Sequence, residues 1–199
     1  MINLNSLKTF SMGKIIYSLC LLIATAGLAQ DKYAPVIKQG TALHYTVYAD
    51  GQNISCIFSF DSIAPNCIKV GWNIDGLGTG SWLMKNKSLD NGTKGYWGQP
   101  TPGIQEELGD DQTVLVFSHA QWASLQKDQK IDFDQQTYTV KKPTDQQLLK
   151  LSGKPVDAFY LENQNGTSRI WILNNPSFPV LLKIEGNTAG PDIAISSVE

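Results

Sequence analysis

The chain has 199 residues, with 16 basic against 18 acidic side chains, two histidines and three cysteines. That balance argues against nucleic-acid binding, and two histidines exclude a histidine-rich metal centre. No long charge run, heptad or basic amphipathic helix points to a membrane surface, and no linker divides the chain.

The N-terminus reads as an address. Lys8 and Lys14 precede the apolar run Ile15–Ala26, and Gly27-Leu28-Ala29 sets small residues at the two positions a signal peptidase inspects. Residues 1–29 are therefore an export signal, with Gln30 as the first mature residue. The run is shorter than the ~20 apolar residues of a spanning helix, so no integral membrane segment remains after cleavage. Residues 1–11 are either an extended n-region or precede a start at Met12. Cys20 leaves with the signal, since Leu19 occupies the place where a lipoprotein anchor needs a small residue. What remains, residues 30–199, is a single β-rich domain with 14 basic and 18 acidic residues, a net charge of −4. It is exported, to the periplasm or outside the cell.

In Thr41–Phe60, Leu43, Tyr45 and Val47 alternate with polar positions, and Asp50-Gly51 supplies a hairpin turn. This register sets Val47 against Ile54, Tyr45 against Cys56 and Leu43 against Phe58. With Asp61–Cys67 as a loop, Phe60 faces Ile68, Phe58 faces Val70 and Cys56 faces Trp72. A turn over Gly76–Gly78 then aligns Trp72 with Trp82 and Val70 with Met84. The result is a four-strand antiparallel meander with one apolar face and a polar one carrying His44, Lys69 and Asn73.

Lys87–Gly103 is too rich in Gly, Pro and Asn to be regular, and Gln112–Ser118 reads as a strand. Ser118 and Gln121 form a capping box for a helix over His119–Asp128, with Trp122 and Leu125 on one face. Thr137–Lys142 is a strand, and Thr144–Gly153 a helical turn or a loop. Asn165-Gly166 as a type I′ turn sets Glu162 against Arg169 and Tyr160 against Trp171. The connection Asn174–Pro179 then brings Val180 opposite Leu173 and Leu182 opposite Trp171. Ile170, Ile172 and Leu181 lie on the side away from Trp171, so this sheet is covered on both faces or curved around something.

Catalytic signatures are sparse. His44 lies on a polar strand face and His119 in the first turn of a surface helix, both as solvated side chains. Asp110-Asp111 is a solvated turn rather than a cation site, and Gly76–Ser81 is hairpin chemistry rather than a phosphate loop. No G-x-S-x-G elbow occurs. Trp72 and Trp82 share a face with Tyr45 and Met84 that is either core or the lining of a ligand cavity. Tyr96-Trp97 sits in an irregular stretch between two glycines, either as a partner anchor or as a plug over one end of the sheet. These four, Trp72, Trp82, Tyr96 and Trp97, are the candidate ligand contacts. Sequons stand at Asn53, Asn86, Asn91 and Asn165, and Asp61-Ser62-Ile63 resembles an O-glycosylation pattern of bacterial periplasmic proteins.

The tryptophan-bearing strand, the Asn-Asn-Pro turn and the strand "FPVLLKIEG" resemble the end of bacterial periplasmic proteins with the lipoprotein-carrier (LolA/LolB-like) fold. The resemblance implies a curved antiparallel sheet wrapped around one or two short helices, with a concave apolar face for acyl chains or a lipidated partner. The fold expected is thus mostly β: a single curved antiparallel meander of about 9–11 strands, with a β-barrel or β-sandwich as alternatives. The function expected is non-enzymatic: binding or carrying an apolar small molecule, lipid or envelope protein, without a cofactor or metal. The alternatives are an envelope structural or adhesion module with no cavity and, last, a hydrolase.

The meander register also separates Cys56 from Cys67 by five residues of strand, on the order of 16 Å. A disulfide needs Cα atoms within ~7 Å, so both cysteines are expected to be free thiols.

Overall fold

A computed structural model describes residues 32–199, so the expected export signal and its expected cleavage position lie outside the described residues. The first four strands are β1 (Ala42–Ala49), β2 (Gln52–Ala64), β3 (Cys67–Ile74) and β4 (Gly78–Lys85). Asp50 and Gly51 both adopt positive φ, 50° and 75°, the primed turn whose twist matches the flanking strands. The register of β1 on β2 is the one the turn dictates, including Val47↔Ile54, Tyr45↔Cys56 and Leu43↔Phe58.

The next two registers differ from expectation by two residues. Strand β2 runs on through the segment expected as a loop and turns at Pro65-Asn66, pairing Ala64 with Cys67. A bulge at Asp61 makes this possible: Ser59 Oγ donates to Asp61 Oδ1 at 2.6 Å, and a Cβ on Gly71 would lie 2.7 Å from that carboxylate. Phe58 therefore faces Trp72, and Cys56 faces Ile74. The β3–β4 turn uses Asp75-Gly76-Leu77, so Val70 faces Trp82 and Trp72 faces Gly80. A slip of two positions leaves every side chain on its expected face. The apolar face is accordingly buried, from Leu43 and Tyr45 through Phe58 and Phe60 to Trp82 and Met84. Cys56 and Cys67 are free, now seven strand residues apart.

The Gly/Asn-rich stretch expected to be irregular holds a short helix, α1 (Asn86–Asn91), and strand β5 (Lys94–Gly95). After β6 (Gln105–Glu107) comes β7, only Gln112–Thr113, where a seven-residue strand was expected. Leu115 takes φ 60°, which breaks the extended path and sends Val114–Phe117 across the sheet as a buried irregular segment. The helix α2 (His119–Asp128) carries the full capping box. Trp122 lies edge-to-face on Phe159 and Leu125 is fully buried.

The remaining strands are β8 (Lys130–Phe133), β9 (Gln136–Lys141), β10 (Lys150–Leu151), β11 (Lys154–Pro155), β12 (Ala158–Asn163), β13 (Arg169–Leu173), β14 (Leu181–Glu185) and β15 (Asp192–Val198). The β12–β13 register is as expected, Glu162↔Arg169 and Tyr160↔Trp171, but the turn is not type I′. Only Gly166 has positive φ there, and its N–H bonds Asn163 O, closing a four-residue loop. Val180 accepts from Leu173 N–H, yet a bulge at Leu182 brings Lys183, not Leu182, opposite Trp171. The Trp171 side is covered by Thr144–Leu149, where Trp171 Nε1 donates to Gln147 O at 2.7 Å.

Eleven strands form one sheet in the order β6-β4-β3-β2-β1-β15-β14-β13-β12-β9-β8. It is mixed rather than purely antiparallel, because β4 and β6 run parallel. It is also not a simple meander, since the last strand pairs with the first: β15 lies along β1. Strands β6 and β8 end the order unpaired with one another, so no barrel closes among the described residues.

Candidate functional site

A cavity of 590 Å³ lies against the apolar face of β1–β4. Its floor is formed by Val47, Ile54, Cys56, Phe58, Ile74 and Trp82, the inward positions of those strands. Leu181 of β14 and Ile193 of β15 continue the wall, and Phe133 of β8 contributes from the far end of the sheet order. Two irregular segments complete it, Val114–Phe117 and the Gly95–Pro100 loop.

Each covering segment is tied down by hydrogen bonds. Leu181 N–H donates to Leu115 O at 2.7 Å and Phe117 N–H to Pro179 O at 3.0 Å, while Leu181 O accepts from the Tyr45 hydroxyl. Strand β14 consequently pairs β15 at only Lys183↔Ala194 and Ile184↔Ile193. Burial of the Tyr45 ring pushes its phenol far above the ordinary tyrosine range.

The loop is held by Asp134, a residue at φ 48° in the β8–β9 turn, where a short polar side chain tolerates the left-handed region. Its Oδ1 accepts from Gly95 N–H at 2.9 Å and its Oδ2 from Trp97 Nε1 at 2.8 Å. Burial pushes this carboxyl up; the two N–H groups and nearby Lys94 pull it back. The Trp97 indole lies edge-on to Phe133 and fits between two glycines. A Cβ on Gly95 or Gly190 would come within 2.6 Å or 2.5 Å of the ring. Tyr96 packs at a tilt against Trp82, centroids 5.8 Å apart and planes at 59°, and donates its hydroxyl to Glu106 at 2.7 Å. Burial, reinforced by that carboxylate, pushes Tyr96 up to about 12.

Of the four candidate contacts, Trp82, Tyr96 and Trp97 line the cavity and Trp72 does not. Trp72 packs behind Trp82 at 5.8 Å because the actual register sets it opposite Gly80, where a Cβ would be 2.5 Å from its ring. Phe58, Phe117 and Phe133 were not singled out from the sequence, although the strand pattern marked Phe58 as inward. Asp134 was missed altogether: a carboxylate in a two-residue turn carries no local sign that it bonds a loop 37 residues away.

The polar candidates lie elsewhere. His44 Nε2 is 3.4 Å from Glu199, and His119 Nδ1 is 3.0 Å from Asp90, beside a second cavity of 270 Å³. Asp110 and Asp111 pair with Lys87 and Lys94, and Gly76–Ser81 forms the β3–β4 turn and the start of β4. No group of three metal-ligating side chains occurs among the described residues.

Chemically, the wall is largely apolar, and one buried donor in it, Trp82 Nε1, has no hydrogen-bond partner. The hydroxyls of Tyr45 and Tyr96 and the Trp97 N–H all have protein acceptors, and the Cys56 thiol is pushed up to about 11 by burial and by Asp75. Comparison of the chain with protein-family models, with curated proteins and with solved structures returned no match.

Proposed function

We propose that this protein is a non-enzymatic binding or carrier module for an apolar or acylated ligand in the cell envelope. The observation that carries the reading is the 590 Å³ aromatic and aliphatic cavity, within the ~300–1,000 Å³ of small-molecule sites. Its lining contains one acid, Asp50, and no histidine, lysine or arginine, so no acid–base pair faces a bound molecule.

The sheet order supports a wrapped, lipoprotein-carrier-like architecture. Trp82 on β4 and Phe133 on β8 are nine strand positions apart, which in a flat sheet is ~43 Å at ~4.8 Å per strand. Both nevertheless line one cavity, which a sheet bent around that cavity explains. An adhesion role through a free Trp97 is less well supported, since the Trp97 ring is bonded to Asp134 and enclosed by glycines.

The test uses protein purified without detergent from its own host, examined by native mass spectrometry for a co-purified apolar molecule. Stripped protein is then titrated with the neutral dye N-phenylnaphthylamine, with a Val47→Trp variant as control. Val47 borders the cavity and is only half-buried, so the added ring enters the void without displacing core. Saturable dye binding lost in Val47→Trp supports the carrier; no binding by the stripped protein overturns it.

A further inference from the structure

Resting on the carrier reading, we propose that the ligand presents a neutral carbonyl oxygen to the indole N–H of Trp82. The cavity would then take chains bearing a ketone, ester or amide in preference to fatty-acid anions, and would recognise that oxygen as well as the chain.

Trp82 is a lining residue of the cavity and is only 5% exposed. Its Nε1 is buried and has no hydrogen-bond partner. Two other indoles of the protein are placed differently: Trp97 donates to the Asp134 carboxylate and Trp171 to the Gln147 carbonyl. Around Trp82 the protein supplies rings instead. Phe58, Trp72 and Tyr96 pack against it with centroids 6.0, 5.8 and 5.8 Å away, and the Tyr96 hydroxyl is committed to Glu106. A buried N–H left unpaired has given up its hydration for nothing, a cost that phenylalanine in the same place would not carry. An acceptor on a molecule bound in the adjoining cavity recovers it.

The rest of the wall narrows the kind of acceptor. A buried water settles where about three polar groups meet it, and one N–H among three rings provides one. A carboxylate would be buried against a single neutral donor, with no histidine, lysine or arginine in the lining to balance its charge. A neutral carbonyl carries no such charge, and its chain is accommodated by Val47, Ile54, Phe133 and Ile193.

The experiment uses stripped, isotope-labelled protein and three ten-carbon probes: methyl nonanoate, decene and decanoate. Affinities are read by displacement of N-phenylnaphthylamine, and the Trp82 indole resonance is followed in proton–nitrogen correlation spectra of the unmodified protein. Methyl nonanoate should move the Trp82 N–H proton downfield, as an oxygen acceptor does, and decene should not. Decanoate should bind more weakly than the ester. In Trp82→Phe both neutral probes weaken with the lost ring, the ester about ten-fold more than decene. The resonance is read in the unmodified protein, so it decides the matter even where Trp82→Phe does not fold. A Trp82 proton unmoved in the saturated ester complex, or equal losses for ester and decene in Trp82→Phe, overturns the carbonyl contact and leaves the carrier reading in place. Decanoate binding as tightly as the ester overturns the choice of a neutral group. Failure of the dye and of all three probes to bind removes the carrier reading and this inference with it.

Discussion

Truncating Trp97 to alanine separates a structural wall from a free anchor. Complete removal of a buried tryptophan costs ~3–5 kcal/mol, and Trp97 is half-buried, so lost packing against Phe133, Gly95 and Gly190 should cost about 2 kcal/mol. The 2.8 Å bond from Nε1 to the Asp134 carboxylate adds about 1 kcal/mol, at the low end for charged acceptors because water can reach part of this site. The sum, about 3 kcal/mol, corresponds to a Tm lowered by roughly 6–12 °C in a domain of this size. Trp97→Phe keeps most of the ring and loses only the N–H, so it should cost about 1 kcal/mol. Coupled with Asp134→Asn in a double-mutant cycle, it should show an interaction of about the same size. The assay is thermal and urea denaturation followed by far-UV circular dichroism. A Tm change under about 2 °C in Trp97→Ala would show the indole to be an unsupported surface group, and the wall assignment would fail.

Three further outcomes are expected. Maleimide counting in denaturant without reductant should find both Cys56 and Cys67 reactive; in the folded protein Cys67 should label first, because Cys56 is buried and its thiol lies up at about 11. Gly80→Ala should destabilise by about 1–3 kcal/mol in urea, since its Cβ meets the Trp72 ring at 2.5 Å and the Ile104 carbonyl at 2.9 Å; a neutral substitution would mean that Trp72 is not packed there. Tyr45 is held protonated by burial, so its folded pKa lies above its unfolded value. The stability it contributes is fully present below pH ~10 and is lost above it at about 1.4 kcal/mol per pH unit. Urea midpoints unchanged between pH 9 and 11.5 would contradict that environment.

Much of the local structure is decided by residues close together in sequence. The Asp50-Gly51 turn sets the β1–β2 register because its two positive-φ residues and the flanking alternation agree. The helix His119–Asp128 starts where Ser118 and Gln121 exchange side-chain and backbone bonds, a device contained within four residues. The apolar face of β1–β4 was legible despite two misplaced registers, because strand side chains alternate with period two and both slips were of two.

What the sequence left open are choices made by distant partners. The bulge at Asp61 depends on Ser59 and on the space over Gly71 across the ladder, and the break at Leu115 on a carbonyl taken by Leu181 N–H. Pairing of β1 with β15 joins residues some 150 positions apart, such as Leu43 and Val198. The cavity belongs to this class. Trp82, Trp97, Phe133 and Ile193 each follow an unremarkable local pattern, and only the closing of long chain loops brings them around one space. The energy that selects those closures comes from burial shared among many side chains, which no short window of sequence records.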